Sequence, residues 1–552
     1  MGSLFSSQSS SLYLGFDVST QSCKALVVDA SLKIVYSSRV QFDADLPEYK
    51  TTDGCMRGKD GRVTSPSKMF VHAMELALDR LKDQGCPFDQ IVGITGSAQQ
   101  HGSVFLNAKG VDALAGLDAE KGTATEQLAG GFAKEESPIW MDTSCTESCK
   151  QLTEKLGGPL KVSALTGSTA QERFSGHLIR QFVQENGLEG CAAVLLISSF
   201  GASLLTGKVE AIDISDAAGM NLMDIRTKKW NPEILEFVAP GKSQKLREVL
   251  PEPRSSWEEA GVIQGFWAQK YGFSPSAKVF HWSGDNCCAV VGNGLVREGD
   301  IAVSLGTSDT ALCVIPKVPE DPLPFGHLFP HPTLENGYWS MLCYTNGDVT
   351  RKKVRSAFFP EDKDGWENFS KSITATSPGN DGNIGIFFST AEITPAISEG
   401  ADFRAQHGED GLKEVKDFES KTRNARAVIE MRALAMRTHL EKLMPGLFDA
   451  TGEQGRLLVT GGASANQAIL QVFADVFQRP VCCSDNTEGA ALGAAMRAVH
   501  ACGADMETLV AQLNSAASIK ATPNTDTAET YRKAAKAYSE LESKALKARG
   551  RM

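Results

Sequence analysis

The sequence predicts an α/β protein. Short apolar runs of strand length alternate with stretches whose apolar residues recur at helical spacing. Turns rich in Gly, Ser and Thr close several of the apolar runs. The stretch GFDVSTQS near the start is echoed by SLGTSDTA past residue 300, an apolar strand followed by Gly or Asp and a Ser/Thr-rich turn. That echo suggests an internal duplication, with a division into two lobes near residue 275.

Residues 1–11 begin MGSLFSSQSS and are expected to be disordered. LYLGF (Leu12 to Phe16) is a strand that Asp17 ends, VSTQSC is a small-residue turn, and KALVVDA and SLKIVYSS complete a meander. Pro66 to Leu81 is a predicted helix. Ser65 can cap it, Pro66 suits its first position, and Phe70, Met74, Ala77, Leu78 and Leu81 share one face. IVGITG is a buried strand that leads through SAQQHG into a further strand, SVFL. Asn107 to Ser137 is Gly/Ala-rich and poorly periodic, which reads as an insertion or long surface loop.

A second start follows near residue 276. AKVFHW is a strand, and DIAVSLG, the turn TSD and TALCVIP repeat the strand–turn–strand pattern. RLLVTGG is a strand ending in glycines. After ASAN comes a helix with Ile469, Leu470, Phe473, Val476 and Phe477 on one face. PVCC is a strand and TEGAALGAAMRA a helix of small residues. From Thr527 the chain is a charged helical pattern that reads as a solvated face. The expected units are therefore 12–275, 276–526 and a terminal helix over 527–552.

At 552 residues, with 42% hydrophobic and 22% charged, the chain can bury more than one core. A net charge of -11 argues against nonspecific nucleic-acid binding, which needs Lys and Arg on phosphates. The thirteen cysteines include Cys145 and Cys149 four apart and the adjacent pairs Cys287–Cys288 and Cys482–Cys483, none at paired zinc-ligand spacing. Reduced thiols in the cytoplasm follow. No apolar run reaches the roughly 18 residues of a membrane span. Gly2 and Ser6 fit a loose myristoylation pattern, but no polybasic patch or nearby Cys supplies the second anchor.

Several chemistries drop out. Gly241-Lys242-Ser243 ends like a P-loop, but Glu236 stands where the first glycine belongs. Gly462-Ala463-Ser464-Ala465-Asn466 lacks the last glycine of a nucleophile elbow. There is no HExxH. Three strand-end turns remain, VSTQS, LGTSDT and TGGASAN. Each can aim N–H groups and hydroxyls at an anion, and Asp17 beside the first can hold a hydrated Mg²⁺. Together they favour a nucleotide phosphate site. In VFHWSGDNCC, Asp285 follows an apolar run and precedes two cysteines. Helix cap, thiol–carboxylate metal site and proton acceptor are all open to it.

GFDVSTQS, GSAQQHGS, IWMD, SGDN, SLGTSDT and VTGGASAN occur in this order. The ordered set resembles the FGGY carbohydrate kinases over roughly Leu12 to His500. YKTTDG, TAQERFSG and SDAAGMNLMD make the chain most like their eukaryotic-type xylulose-kinase branch. The resemblance implies two ribonuclease-H-like lobes of the actin and hexokinase type. A sugar-binding lobe (12–275) and a nucleotide-binding lobe (276–526) would have the active-site cleft between them. It implies transfer of the ATP γ-phosphoryl to the 5-hydroxyl of D-xylulose, with Mg²⁺, by a monomer or homodimer.

By the same resemblance Asp285 is the base, and Asp17 is catalytic through Mg²⁺ or the phosphates. His101, Arg173, Asp285 and Asn286 bind sugar. Thr20, Gln21 and Ser22 line one phosphate turn and Gly306, Thr307 and Ser308 the other. Gly461, Gly462, Asn466 and Trp366 border the adenosine, and Asp216 braces the cleft. Bacterial members of the resembled family often carry Asp-x-Arg after the tryptophan, whereas here Trp140-Met141-Asp142 is followed by Thr143-Ser144, so no arginine-based contact is expected there. Alternatives are another sugar or polyol kinase of the family, such as a ribulokinase or glycerol kinase, or a non-catalytic sugar sensor. A thiol switch at Cys287 and Cys288 competes with simple packing.

Overall fold

A computed structural model describes residues 11–363, 365–449, 455–483, 488–514 and 518–549. Residues 1–10, and with them the myristoylation pattern and nearly all of the expected disordered start, lie outside these. The chain forms two compact units. Unit 1 takes residues up to Val296, Leu328–Tyr338 and Asn486–Leu513; unit 2 takes Arg297–His327, Trp339–Asp485 and Asn514–Met552. The first break thus falls past residue 275, and two later segments return to unit 1.

In unit 1, strands β1 (Leu12–Val18), β2 (Ser22–Asp29), β3 (Ile34–Gln41), β4 (Ile91–Ala98), β5 (Glu259–Val262) and β6 (Lys278–Phe280) lie in the order β5-β6-β4-β1-β2-β3. The two-residue β7 (Ser283–Gly284) also pairs with β4. β1, β6 and β7 all run parallel to β4, while β1–β2–β3 is an antiparallel meander. Strands β6 and β7 hold the 278–284 stretch to β4, which is why a boundary at 275 does not separate the units. Asp17 does not end β1: it pairs with Lys24 and Ser97 inside it.

α1 runs Ser67–Asp83 with Pro66 at the N-cap, one place later than predicted. Ser65 belongs to the preceding strand, and its hydroxyl donates to the Gly54 carbonyl instead of capping. The stretch read as a long loop carries a helix at Ala108–Ala115, capped by Asn107 Oδ1 on Gly110 N (2.9 Å), and a capping box at Thr123 and Glu126. Those caps start helices too short for periodicity to reveal. The small-residue helix Gly489–Ala501 packs on β1: a Cβ at Gly15 would stand 2.5 Å from Ala495 N. α2 (Asp285–Gly292) meets the same helix, where a Cβ on Gly493 would strike the Cys288 carbonyl. Only glycine permits such approach.

In unit 2, β8 (Ile301–Leu305), β9 (Asp309–Ile315), β10 (Tyr338–Tyr344), β11 (Leu457–Thr460), β12 (Val481–Cys483) and β13 (Ser518–Ala521) lie in the order β10-β9-β8-β11-β12-β13. The hairpin β8–β9 sits beside the parallel strand β11, as the hairpin β1–β2 sits beside β4. Helices α3 (Asp348–Phe358), α4 (Glu367–Ala375), α5 (Lys421–Leu443), α6 (Gln467–Phe477) and α7 (Ala528–Arg549) belong to the same unit, as does a separate antiparallel sheet of Asn383–Phe388, Ala401–Gly408 and Gly411–Glu414. α7 is more than the solvated face its charges suggest, since Tyr531, Tyr538 and Leu541 are fully buried. Among the described residues no helix is long and apolar enough to cross a membrane.

Candidate active site

Three adjacent parallel strands of unit 1 deliver its polar cluster. Asp17 on β1 pairs with Ser97 on β4, and Gly284 on β7 pairs with Ala98. Their carboxyl ends therefore bring Asp17, the Gln99–His101 segment and Asp285 together, the place where open parallel sheets bind ligands. Asp17 is buried, and its oxygens accept from Ser97 Oγ (3.0 Å) and Ser19 Oγ (2.6 Å). Burial raises its pKa against those bonds.

Asp285 is the first residue of α2, not its cap; the N-cap position falls on Gly284. Its Oδ1 accepts from Asn286 N (2.8 Å), Asn286 Nδ2 (3.0 Å) and Gln100 N (3.3 Å). No donor among the described residues meets Oδ2, and the side chain is only half-buried. Burial, and next the negative charge of Asp17, push its pKa up to about 7. The cysteines supply no metal site. Cys287 and Cys288 are buried, burial pushes both thiols up, Cys288 to about 11, and no group of three or more His, Cys, Asp or Glu among the described residues is arranged for a metal.

Gln100 is the hub that the sequence does not advertise. Its Oε1 accepts from Asn286 Nδ2 (2.9 Å), and its Nε2 donates to Cys287 Sγ (3.3 Å) and Asp216 Oδ1 (3.5 Å). Asp216 also accepts from Ser198 Oγ (2.6 Å). Burial, with Asp213 and Asp285 adding negative charge, raises its pKa to about 7. It sits behind Gln100 as a brace. Asn286 spends both amide hydrogens on Gln100 and Asp285, so only its Oδ1 is left for a ligand.

His101 is buried, in left-handed backbone at φ 71°, with Nδ1 donating to the Gly219 carbonyl (2.8 Å) and its ring 4.6 Å from Phe174. Arg173, beside Phe174, is half-buried and makes no hydrogen bond or ion pair among the described residues. Trp140 donates from Nε1 to Thr20 Oγ1 (2.9 Å). Ser144 takes the Asp142 carboxylate through N (2.9 Å) and Oγ (2.6 Å).

Unit 2 holds a cavity of about 550 Å³. Of the predicted nucleotide residues, Gly306, Thr307, Trp366, Gly462 and Asn466 line it; Leu305, Asp348, Arg351, Ala463, Ala465 and Ile469 join them. Thr20, Gln21 and Ser22 belong to unit 1 and do not line it. Ser308 is exposed and outside the lining. Gly461 is outside it too: at φ 85°, its close approach is to the Leu305 carbonyl, 2.6 Å from a built Cβ. Asn466 lines the wall with its side chain already engaged at both ends, one Nδ2 hydrogen being uncommitted among the described residues. Its Oδ1 caps α6 on Ala468 N (3.1 Å) and Ile469 N (3.3 Å), and Nδ2 donates to Ser370 Oγ (2.7 Å). Trp366 is held by Phe369 (5.2 Å) and by the Arg355 guanidinium over its ring (4.6 Å). An aromatic ring, small residues and a Gly-Thr turn in one lining suit a nucleotide.

Residues 136–292 match the FGGY family of carbohydrate kinases, N-terminal domain, and residues 301–502 its C-terminal domain. Xylulose kinase of Rattus norvegicus is 39% identical over 97% of this chain and 98% of its own. Xylulose kinase 2 of Arabidopsis thaliana is 38% identical, covering 89% of this chain and 87% of its own. The solved structure of xylulose kinase from Rhodospirillum rubrum shares the fold with TM-score 0.75 at 18% identity, covering 97% of this chain and 99% of that one. Plasmodium falciparum glycerol kinase with ADP does so with TM-score 0.72 at 16% identity, covering 97% and 98%.

Proposed function

The chain belongs to the FGGY family of carbohydrate kinases, a family that uses ATP, and within it we propose that it phosphorylates D-xylulose at the 5-hydroxyl, giving D-xylulose 5-phosphate and ADP. The observation that carries the chemistry is the Asp285 carboxylate. One oxygen is fixed by three donors, the other is uncommitted, and burial places its proton affinity near neutrality. The full-length identity to xylulose kinases supports the choice of sugar.

In this reading Asp285 Oδ2 accepts the proton of the attacking hydroxyl, and positioning with charge stabilisation does the rest. Asn286 Oδ1 and the Arg173 guanidinium orient sugar oxygens, and His101 borders the same site. Gly306 and Thr307 hold phosphate, and Trp366 faces the base. Mg²⁺, when bound, would neutralise phosphate oxygens. Asp17 fits such an ion: each of its oxygens takes only one hydroxyl donor, and Mg²⁺ needs one or two carboxylates plus water and phosphate oxygens. Thirteen cysteines, none at paired zinc-ligand spacing, support a reducing compartment, the cytoplasm.

The test is turnover with ATP across D-xylulose, ribulose, glycerol and related polyols. The expected result is a kcat/KM for D-xylulose at least about a hundredfold above the rest, as hydrogen-bonding sites discriminate strongly. A polyol preferred over D-xylulose would shift the reading to a sister kinase. No turnover of any of them would favour a sensor.

A further inference from the structure

Behind the Gly-Thr turn of unit 2 lie four buried charges that the phosphoryl-transfer chemistry leaves unused: Asp309, Arg351, Glu392 and Arg432. Arg351 grips Asp309 with both ends of its fork, Nη1 to Oδ2 (2.9 Å) and Nη2 to Oδ1 (3.1 Å), and Nη2 also donates to the Gly306 carbonyl (2.9 Å). Arg432 stands 3.2 Å from Asp309 and 3.3 Å from Glu392 and donates to the Asn346 carbonyl (2.8 Å). Glu392 accepts from the backbone of Thr345 (2.6 Å) and Asn346 (3.2 Å). Two cations therefore balance two anions, and between them they hold the ends of the two segments, 306–309 and 345–348.

Those segments also touch directly. Asp348 N donates to the Gly306 carbonyl (2.9 Å), and a Cβ on Gly347 would lie 2.6 Å from the Thr307 carbonyl. Balanced buried ion pairs add little stability over apolar packing, so their use lies in fixing one conformation. Here the conformation fixed is that of the cavity lining, because Gly306, Thr307 and Asp348 all line it; Arg351 lines it too, with both Nη atoms already spent on Asp309 and the Gly306 carbonyl. Drawing the Gly306 C=O towards Arg351 turns the Thr307 N–H the opposite way, since the peptide plane is trans. An anion at the turn needs that N–H presented, not rotated.

We propose that Arg351 is a positioning residue for nucleotide binding: its fork, locked by Asp309 and backed by Arg432, holds the Gly306–Thr307 peptide in its phosphate-accepting orientation. This rests on the reading of the unit 2 cavity as the nucleotide site. Lysine in its place keeps the charge but cannot reach Asp309 and the Gly306 carbonyl together.

The experiment compares wild-type and Arg351→Lys full-length enzyme. It measures ADP affinity by calorimetry without sugar, and KM for ATP and for sugar by initial rates. The expected result is ADP affinity weakened, and KM for ATP raised, about tenfold or more, with KM for sugar within about twofold and an unchanged far-ultraviolet spectrum. A folded Arg351→Lys with wild-type ADP affinity overturns the positioning role while leaving the nucleotide site intact. A wild-type chain that binds neither ADP nor ATP overturns both. Should Arg351→Lys not fold, hydrogen exchange of the wild type decides. Peptides over 305–310 and 346–352 must already be protected without nucleotide, and protection that appears only on adding ADP overturns the proposal.

Discussion

In the proposed role, Asp285 accepts a proton only while Oδ2 is ionised and uncommitted. With its pKa raised to about 7, the carboxylate is mostly protonated below that pH and cannot accept the hydroxyl proton. The expected kcat/KM therefore falls about tenfold per pH unit below 7 and levels above it. Asp285→Asn should keep the fold and sugar affinity, lose about 10²- to 10⁴-fold in kcat and lose the acid limb; turnover with the limb intact would remove Asp285 from the role. In the sequence, a carboxylate directly after an apolar strand marks Asp285 as unusual. Nothing local chooses between cap, metal and base, and only the ordered motifs favour the base. Gln100 escaped because its hydrogen-bond partner Asp285 is 185 residues away. Asp348 and Arg351 escaped likewise, as a strand followed by TNGDVTR gives no sign of what it faces. Asn466 lines the cavity and also caps α6, a second use the sequence leaves open because Asn suits a helix cap as well as a ligand.

At the level of elements, long periodic stretches were legible and polar packing was not. α6 and the strands β8, β9 and β11 lie where alternation places them, because their burial rests on apolar side chains. α7 misled because its buried face is partly polar. Tyr531 donates to Glu430 (2.8 Å) and accepts from Arg426 Nη2 (2.7 Å), while His439 on α5 meets Glu542 (3.0 Å) and Tyr344 (3.0 Å). Charges so used look like a solvated face until their partners on α5 are known. Tyr531→Phe removes one hydroxyl that serves both partners and leaves a buried Arg–Glu pair short of a donor and an acceptor. The expected cost is about 1–3 kcal/mol, read from thermal or urea unfolding monitored in unit 2. No loss there would show that α7 packs without these bonds.

Across the whole molecule, the duplication was legible in two echoing turns, whereas the chain's returns to unit 1 were not, since contacts between Gly15 and Ala495 leave no local trace. Those returns carry consequences for stability. His331, on the returning Leu328–Tyr338 segment, is fully buried, its Nε2 donating to the Leu295 carbonyl (2.8 Å), and burial holds its imidazole down to about 4. Its folded form resists the proton that an unfolded histidine takes below about 6.5, so it drains stability as pH falls from 6.5 towards 4, by about 1.4 kcal/mol per pH unit. Asp216, in the same unit, acts in the opposite sense. Raised to about 7, it prefers the proton when folded, and it costs stability as pH rises from the ordinary carboxylate range towards 7. The two terms oppose each other between pH 4 and 7, and burial adds further terms of both signs from His177 and His281, held down to about 4, and from Asp285 at about 7. His331→Gln should therefore gain on the wild type as pH falls below 6.5, and Asp216→Asn should gain on it as pH rises towards 7, each apart from a constant offset for lost hydrogen bonds. Urea unfolding at half-unit pH steps reads both slopes. Curves that run parallel to the wild type in both variants would mean that neither group is held away from its ordinary proton affinity by burial.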